Sequence, residues 1–241
     1  MKIKYLLLTI CMVFTHLIVA NDLETDTFKT KSNKDVIITF IKHGSLMLTY
    51  DGLQIQVDPV TMFADYSTFP KADFILITHE HGDHLDSVAI KQLTKNNTRI
   101  IINQSSRDII SKGDVMKNGD SLQLTDNIRI EAVPAYNTTE GREKFHPRHR
   151  DNGYIVIIED LRIYIAGDTE DIPEMKELRN IDIAFLPVNQ PYTMTVDQAV
   201  DAANMFSPTI LYPYHFGDTD VKSIKTRLED SGIEVRLRKM E

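Results

Sequence analysis

The residues with the most obvious chemistry are four potential metal ligands that fall within six positions of one another. They are His79, His81, Asp83 and His84, and they directly follow the apolar run at 74–78, which is predicted to be a buried strand. Side chains two positions apart point the same way in an extended chain, so His79 and His81 are expected to share one ion. The glycine after His81 allows the backbone to turn, so Asp83 and His84 are expected to face a second ion.

The composition of this ligand set limits which metal ions it suits. The only cysteine, Cys11, lies far from the motif in an apolar N-terminal segment, so the ligands are imidazole and carboxylate groups. Such ligands fit two divalent metal ions, most simply zinc, with manganese or iron as alternatives. An exposed charged loop is the competing interpretation. Exposure to solvent does not explain why four potential ligands should directly follow a core strand.

The spacing His79-x-His81-x-Asp83-His84 resembles the signature of the metallo-β-lactamase fold. This resemblance extends from about Val36 to the C-terminus and implies an α/β protein, a four-layer αββα sandwich in a single domain. In that family an aspartate after a later strand bridges the two ions and a late histidine completes the second site. Asp168 matches the bridging aspartate and His215 matches the late histidine. Asp58 matches an early aspartate of the family that orients the ligands.

One ligand that the resemblance implies is missing from its usual place. The family supplies a third histidine to the first ion from the loop after the strand predicted here at 128–133, where this sequence reads PAYN. Asn137, His146 and His149 are the alternatives, and His146 is favoured because its loop is predicted to cover the site. A first site without its third ligand would hold its ion weakly.

The resemblance is narrower than the fold, because the segments VPAYN, FHP, AGDT and YTMT are similar to those of the "metal-dependent hydrolase" group. That group is similar to ascorbate-6-phosphate lactonases and to N-acyl-phosphatidylethanolamine phospholipase D type enzymes. It implies a hydrolase that acts on an ester, lactone, amide or phosphodiester. Asp83 and Asp168 are the predicted catalytic residues, with Asp83 orienting the nucleophile.

Further residues are predicted to support the site or to contact the substrate. Glu80, like Asp58, is expected to contact the ligand imidazoles on the side away from the metal and so to fix their orientation. Asn137 and Tyr192 are the candidate substrate contacts. The basic loop at 136–150 is predicted to border the pocket. A solvated, flexible insertion is the more frequent interpretation of such a loop, and recognition of an anionic small molecule is the functional alternative.

Three other functions compete with hydrolysis. The main alternative is a non-catalytic metal-binding protein of the same fold with a degenerate first site. A di-iron redox protein is a weaker alternative, because the family's di-iron members carry more acidic ligands and a partner domain. A nuclease is disfavoured because the chain has a formal net charge of −8, which repels a phosphate backbone, so no nucleic-acid partner is expected.

The elements that must position these residues can be read from the apolar periodicity. Strands are predicted at 36–41, 46–50, 53–57, 74–78, 100–103, 128–133, 154–158, 162–166, 183–187, 210–214 and 235–237. Helices are predicted at 87–93, 107–111, 172–178, 196–206 and 221–230. Hairpins come first and strand–helix alternation follows, which predicts one hydrolase domain at 35–241.

The N-terminal residues resemble an export signal. Lys2 and Lys4 precede an apolar segment that ends at Ala20, so residues 1–20 are predicted to be a signal peptide. This predicts a periplasmic or secreted protein with no stable membrane span after cleavage, and an uncleaved anchor is the less favoured alternative. Residues 21–34 are polar and are predicted to be a poorly ordered leader.

Overall fold

The computed structural model describes residues 23–241, which form two β-sheets and six short helices. The strands are β1 (Thr25–Lys29), β2 (Asp35–Lys42), β3 (Ser45–Tyr50), β4 (Leu53–Val57), β5 (Phe74–Leu76), β6 (Arg99–Ile102), β7 (Asp114–Val115), β8 (Ser121–Thr125), β9 (Ile128–Ala135), β10 (Asp151–Ile158), β11 (Leu161–Ile165), β12 (Ile183–Pro187), β13 (Ile210–Tyr214) and β14 (Glu234–Val235). The α-helices are α1 (Ser87–Leu93), α2 (Gln104–Ile110), α3 (Val196–Phe206) and α4 (Lys222–Arg227), and 3₁₀ helices lie at Tyr66–Thr68 and Pro173–Glu177.

Each sheet has seven strands and combines an antiparallel half with a parallel half. The first has the order β1-β2-β3-β4-β5-β6-β7 and is antiparallel up to β4. The second has the order β14-β13-β12-β11-β10-β9-β8 and is parallel from β11 to β14. Parallel neighbours end at the same edge of a sheet, so the residues that follow them are brought together.

Three apolar clusters define the layers of the fold. The largest contains buried residues from both sheets, such as Leu48 of β3 and Phe185 of β12, so the two sheets pack face to face. A second cluster joins β10–β13 to α3 and α4, and a third joins β5 and β6 to α1. Helices therefore cover the outer face of each sheet, and the predicted four-layer αββα sandwich is confirmed.

Local signals account for the two helices whose bounds match the prediction. The Asp86 side chain accepts hydrogen bonds from the Val88 and Ala89 amides at the start of α1. At the start of α3, Thr195 and Gln198 form the predicted capping box. The region predicted to be a helix at 172–178 forms a 3₁₀ helix, and the short strands β7 and β8 were not predicted.

The prediction of a poorly ordered leader at 21–34 is wrong for the residues that the structure describes. Thr25–Lys29 form β1, which pairs antiparallel with β2, and Asp26 is paired with Arg238 from the far end of the chain. Contacts with distant residues order this segment, and a polar composition does not reveal them. The predicted signal peptide at 1–20 lies outside the described residues. Over residues 23–241, the structure has no helix with the length and apolar character needed to cross a membrane.

Candidate metal centre

The ends of parallel strands deliver the predicted ligands to one place between the two sheets. His79 lies shortly after β5 in the first sheet, while Asp168 and His215 follow β11 and β13 in the second. Tyr154 of β10 ties the sheets together here, because its hydroxyl donates to the carbonyl oxygen of Ile77 at 2.9 Å. The predicted ligands, which are far apart in sequence, therefore converge at this junction.

Asp168 lies at the centre of the site and is almost fully buried. Its Oδ2 atom is 3.4 Å from His215 Nε2, 3.5 Å from His146 Nε2 and 3.9 Å from His79 Nε2. Its Oδ1 atom is 3.4 Å from His84 Nε2. A carboxylate that faces four imidazoles is placed as the predicted bridging ligand would be.

The surrounding side chains form two sets on either side of Asp168. In the first set, the ligand atoms of His79, His81 and His146 all lie within 4.8 Å of one another. The second set comprises Asp83, His84 and His215, whose ligand atoms likewise lie within 4.8 Å of one another, and a ring nitrogen of His43 lies within the same distance of them. The structure thus brings together every residue that was predicted to bind metal.

The position of His146 bears on the ligand that the resemblance left open. Its Nε2 atom faces Asp168, and its Nδ1 atom lies 3.1 Å from Asp151 Oδ2. Of the two alternatives, His149 is exposed and belongs to neither set. Asn137 donates from its amide nitrogen to the Tyr192 carbonyl oxygen at 2.7 Å, and its Oδ1 atom has no hydrogen-bond partner among the described residues. That His146 binds metal stays a prediction, and its ring nitrogen lies close enough to those of His79 and His81 to share an ion with them.

Asp58 contacts two of the groups that hold the histidines in place. Its Oδ2 atom accepts hydrogen bonds from Thr78 Oγ1 at 2.6 Å and from His84 Nδ1 at 2.8 Å. Thr78 Oγ1 lies in turn 2.9 Å from His79 Nδ1. These contacts fix both rings with Nε2 directed inward, which agrees with the predicted orienting role.

Glu80 does not contact an imidazole in the way that was predicted. Its carboxylate accepts from Ser105 Oγ at 2.6 Å and pairs with Arg150 at 2.9 Å. Arg150 also binds Asp151, the partner of His146. Glu80 therefore contacts the groups behind the ligands only through Arg150, because its side chain points towards α2 and the β9–β10 loop.

Three buried atoms of the site have no hydrogen-bond partner among the residues that the structure describes. They are His84 Nε2, His215 Nε2 and Asp168 Oδ1. A buried polar atom without a partner costs about 1–3 kcal/mol, so three that face one another need a common partner. Imidazole nitrogen and carboxylate oxygen are donor atoms that a divalent cation accepts, and the residues present therefore fit a metal ion.

The charges of the site also suit a cation. Burial lowers the pKa of His79 well below its usual value, with the neighbouring His84 and His146 acting in the same direction, so this imidazole is a neutral ligand. Burial disfavours the charged form of His84 as well, but Asp168 and Asp58 outweigh it and raise the pKa to about 10. The raised pKa reflects the negative charge around the ring, which a bound cation would balance.

The three arginines of the basic loop at 136–150 are paired with acids. Arg142 lies 3.6 Å from Glu170, Arg148 lies 2.7 Å from Glu174, and Arg150 is bound to Asp151. These pairs make the arginines part of the loop's own structure, which weakens the argument for an anionic substrate. Tyr192 is 45 % exposed and packs against Phe145 with a ring separation of 5.0 Å, so it borders the site on the side of His146.

Sequence reasoning missed two residues of the site. His43 lies in the turn between β2 and β3, far from the ligand motif, and its only signal was a His-Gly pair between two apolar runs. Asp151 is fully buried at the start of β10, and nothing in its sequence neighbourhood distinguishes it from a surface acid.

Comparison with known proteins agrees with this geometry. The family model described as "Beta-lactamase superfamily domain" matches residues 37–215 and so ends at the last predicted ligand. A UPF0173 metal-dependent hydrolase of Flavobacterium johnsoniae is 32 % identical over 198 residues, which cover 74 % of this chain and 84 % of the relative.

Two solved structures are similar to this one. A crystal structure of a candidate metal-dependent hydrolase from Parabacteroides distasonis ATCC 8503 is 66 % identical, with a TM-score of 0.90, and covers 91 % of this chain and 100 % of its own. Igni18, a metallo hydrolase from the archaeon Ignicoccus hospitalis, is 24 % identical, with a TM-score of 0.72 and coverage of 86 % and 96 %. At that identity the second likeness concerns the fold alone.

Proposed function

Because this chain belongs to the beta-lactamase superfamily, we propose that it uses two divalent metal ions, most simply zinc, to hydrolyse a small molecule. The relatives named as metal-dependent hydrolases place it among hydrolases. The proposed bond is an ester, lactone, amide or phosphodiester. The observation that carries the proposal is the set of three unpartnered buried atoms around Asp168, flanked by two groups of potential ligands.

The chain's own residues divide the work of hydrolysis between them. Two bound ions supply an activated water and a Lewis acid for the substrate's oxygen. Asp168 lies between the two ligand sets and is placed to hold both ions. Asp83 is the accessible acid of the site, with a side chain 42 % exposed, and is placed to accept a hydrogen bond from the nucleophile. Partial burial raises its pKa, but the neighbouring imidazoles of His215 and His43 outweigh this and keep it ionised.

The non-catalytic alternative rested on a degenerate first site. In the proposal His146 supplies a third imidazole to that set, and the closeness of its ring nitrogen to those of His79 and His81 supports a complete first site over the alternative. The substrate's charge stays open in the proposal, because the loop arginines are paired with acids. Tyr192 and Phe145 are the proposed wall for the part of the substrate beyond the reacting bond.

The proposal is tested by the metal content and hydrolytic activity of the purified protein. We expect about two ions per chain, and cleavage of a model phosphodiester or lactone that is lost together with the metal in Asp168→Asn. Asp160→Asn, a change in an exposed turn, is the matched control and should keep both. Bound metal without hydrolysis of any ester, lactone, amide or phosphodiester would favour the non-catalytic alternative, and one ion or none would contradict the two-metal site.

We also propose that the protein is exported. The support is the pattern of Lys2 and Lys4 followed by an apolar segment up to Ala20, in a part of the chain outside the described residues. Mass spectrometry of the protein from its producing cells should find Asn21 at the N-terminus. An intact Met1 in protein recovered from the cytoplasm would contradict export.

A further inference from the structure

The turn between β2 and β3 consists of His43 and Gly44, because Lys42 pairs with Ser45 across the hairpin. His43 adopts a left-handed backbone conformation with φ +56°, as the first position of a tight hairpin turn requires. This turn, which we call the His43–Gly44 turn, lies against the second ligand set. It contains none of the ligands that the family resemblance implies.

His43 contacts two members of the second set at once. Its Nε2 atom lies 3.2 Å from Asp83 Oδ2, and its ring centre lies 3.5 Å from that of His215. The backbone amide of His215 donates to the His43 carbonyl oxygen at 3.2 Å. His43 therefore restrains a carboxylate and an imidazole that come from opposite sheets of the sandwich.

Gly44 lies directly against the third member of the set. A Cβ atom at this position would be 2.7 Å from His84 Cε1 and 3.0 Å from His84 Nδ1. Real Cβ atoms do not approach other atoms so closely, so a side chain here would have to displace the ring. Gly44 has no positive φ, so the glycine serves the close approach to His84 and not the backbone conformation.

His84 is also fixed by a contact already described. Asp58 holds its Nδ1 atom, so both this carboxylate and the turn restrict the ring. A ring held in this way keeps Nε2 directed at Asp168 without any contribution from a bound ion. In the first set, Thr78 holds His79 and Asp151 holds His146.

We propose that the His43–Gly44 turn positions Asp83, His84 and His215 and thereby sets the affinity of the second metal site independently of the first. This inference rests on the proposed function, because it assumes that the two ligand sets bind ions. His43 is a positioning residue in this scheme: it holds the Asp83 carboxylate and the His215 ring, while Gly44 provides the space that His84 needs.

The test is a titration of the metal-free full chain with Zn²⁺ in the presence of a competing chelator, which resolves two affinities. In Gly44→Ala we expect one affinity to fall about 10–100-fold, the usual effect of disturbing a ligand's support, while the other stays within about twofold. His43→Asn should weaken the same site by about tenfold, and asparagine tolerates the left-handed backbone. Asp83→Asn and His81→Asn identify which affinity belongs to the second and first site.

The matched control is His149→Asn, since His149 also has a positive φ (+71°) but is exposed and belongs to neither ligand set. It should leave both affinities unchanged. The absorption spectrum of the Co²⁺-loaded protein provides a second measurement, and it should change in both turn variants and not in the control. Circular dichroism of the metal-free variants checks that each one is folded.

The possible results separate the inference from the proposed function. If the wild-type chain binds no Zn²⁺, the proposed function and this inference both fail. If the wild type binds two ions and both turn variants retain both affinities, only the inference is overturned. Equal weakening of both sites would also overturn it, because the turn would then support the fold in general.

Discussion

At His79, His84 and His146, Nδ1 lies next to an oxygen atom and Nε2 faces Asp168. The neighbouring oxygens belong to Thr78, Asp58 and Asp151. A ring whose Nδ1–H donates to oxygen carries its lone pair on Nε2, which is the tautomer that a metal ion requires. The residues behind the ligands are therefore expected to control metal affinity almost as strongly as the ligands themselves.

Asp58→Asn tests this at both sites, because Asp58 holds His84 directly and His79 through Thr78. The amide keeps the shape of the carboxylate but loses its charge and one of the acceptor positions that hold Thr78 and His84. We expect the affinity for both ions to fall about 10–100-fold, measured by competition with a chelator. Asp114→Asn, which removes only an exposed pair with Arg99, is the control and should not change metal binding. An unchanged affinity in Asp58→Asn would contradict the orienting role.

Asp151→Asn makes the corresponding test at the first site. The change loosens His146 and breaks the pair between Asp151 and Arg150, so the first-site affinity should fall about 10–100-fold while the second stays within about twofold. Glu80→Gln should have a smaller effect, because Glu80 acts only through Arg150. Glu140→Gln, an exposed acid of the same loop, is the control. A larger loss of first-site affinity in Glu80→Gln than in Asp151→Asn would contradict the conclusion that Asp151, and not Glu80, contacts His146.

At the scale of elements, β1 shows how a polar segment becomes part of the sheet. Its side chains alternate between exposed and half-buried, and Phe28 packs against the main core. The turn that follows β1 is held by Glu159 from the β10–β11 turn, which accepts from Ser32 Oγ at 2.6 Å and from the Tyr50 hydroxyl at 2.5 Å. The edge of the first sheet is thus fastened to the second sheet.

The pKa of Glu159 leads to a pH-dependent prediction for this contact. The hydrogen bonds from Ser32, and then from Tyr50, lower the pKa of Glu159 to about 2. A lowered folded-state pKa stabilises the fold above the unfolded value of about 4.3, and this contribution is lost as the pH falls towards 2. Urea unfolding should show wild type more stable than Glu159→Gln at pH 6, with the difference gone near pH 2. A difference that persists at pH 2 would contradict the role of the ionised carboxylate.

At the scale of the whole molecule, the candidate metal centre lies where the two sheets meet. The first sheet supplies His79, His81, Asp83 and His84, and the second supplies His146, Asp168 and His215. Ions held between these groups would bind the folded chain and not the unfolded one, so they should add to stability by mass action.

Removal of metal is therefore expected to destabilise the protein. With the metal ion at about one hundred times its Kd, binding adds about 2.7 kcal/mol to the free energy of unfolding. The melting temperature of a chain of this length changes by about 2–4 °C per kcal/mol. EDTA should lower the melting temperature by about 5–10 °C, and excess Zn²⁺ should restore it. The melting temperature of Asp168→Asn should respond to neither addition. An equal response in wild type and Asp168→Asn would show that the effect does not come from this site.

Local patterns in the sequence were sufficient for the features that depend on neighbours along the chain. The spacing of His79, His81, Asp83 and His84 predicted the ligand cluster, and a candidate cap together with periodicity predicted α1 and α3 to the residue. The four-layer fold and the places of Asp168 and His215 came from resemblance to a family. The predicted places of these two residues agree with the structure because each directly follows a recognisable apolar strand.

The remaining features depend on contacts between segments that are distant in sequence, and only the tertiary structure decided them. The partners of Arg142 and Arg148 lie at Glu170 and Glu174, so a loop that appeared basic is largely neutralised. Likewise, β1 is ordered by pairing with β2, and His43 reaches the second ligand set only when the β2–β3 turn packs against His84. Spacing along the chain determines which side chains one element presents, whereas the packing of the two sheets determines which of them meet.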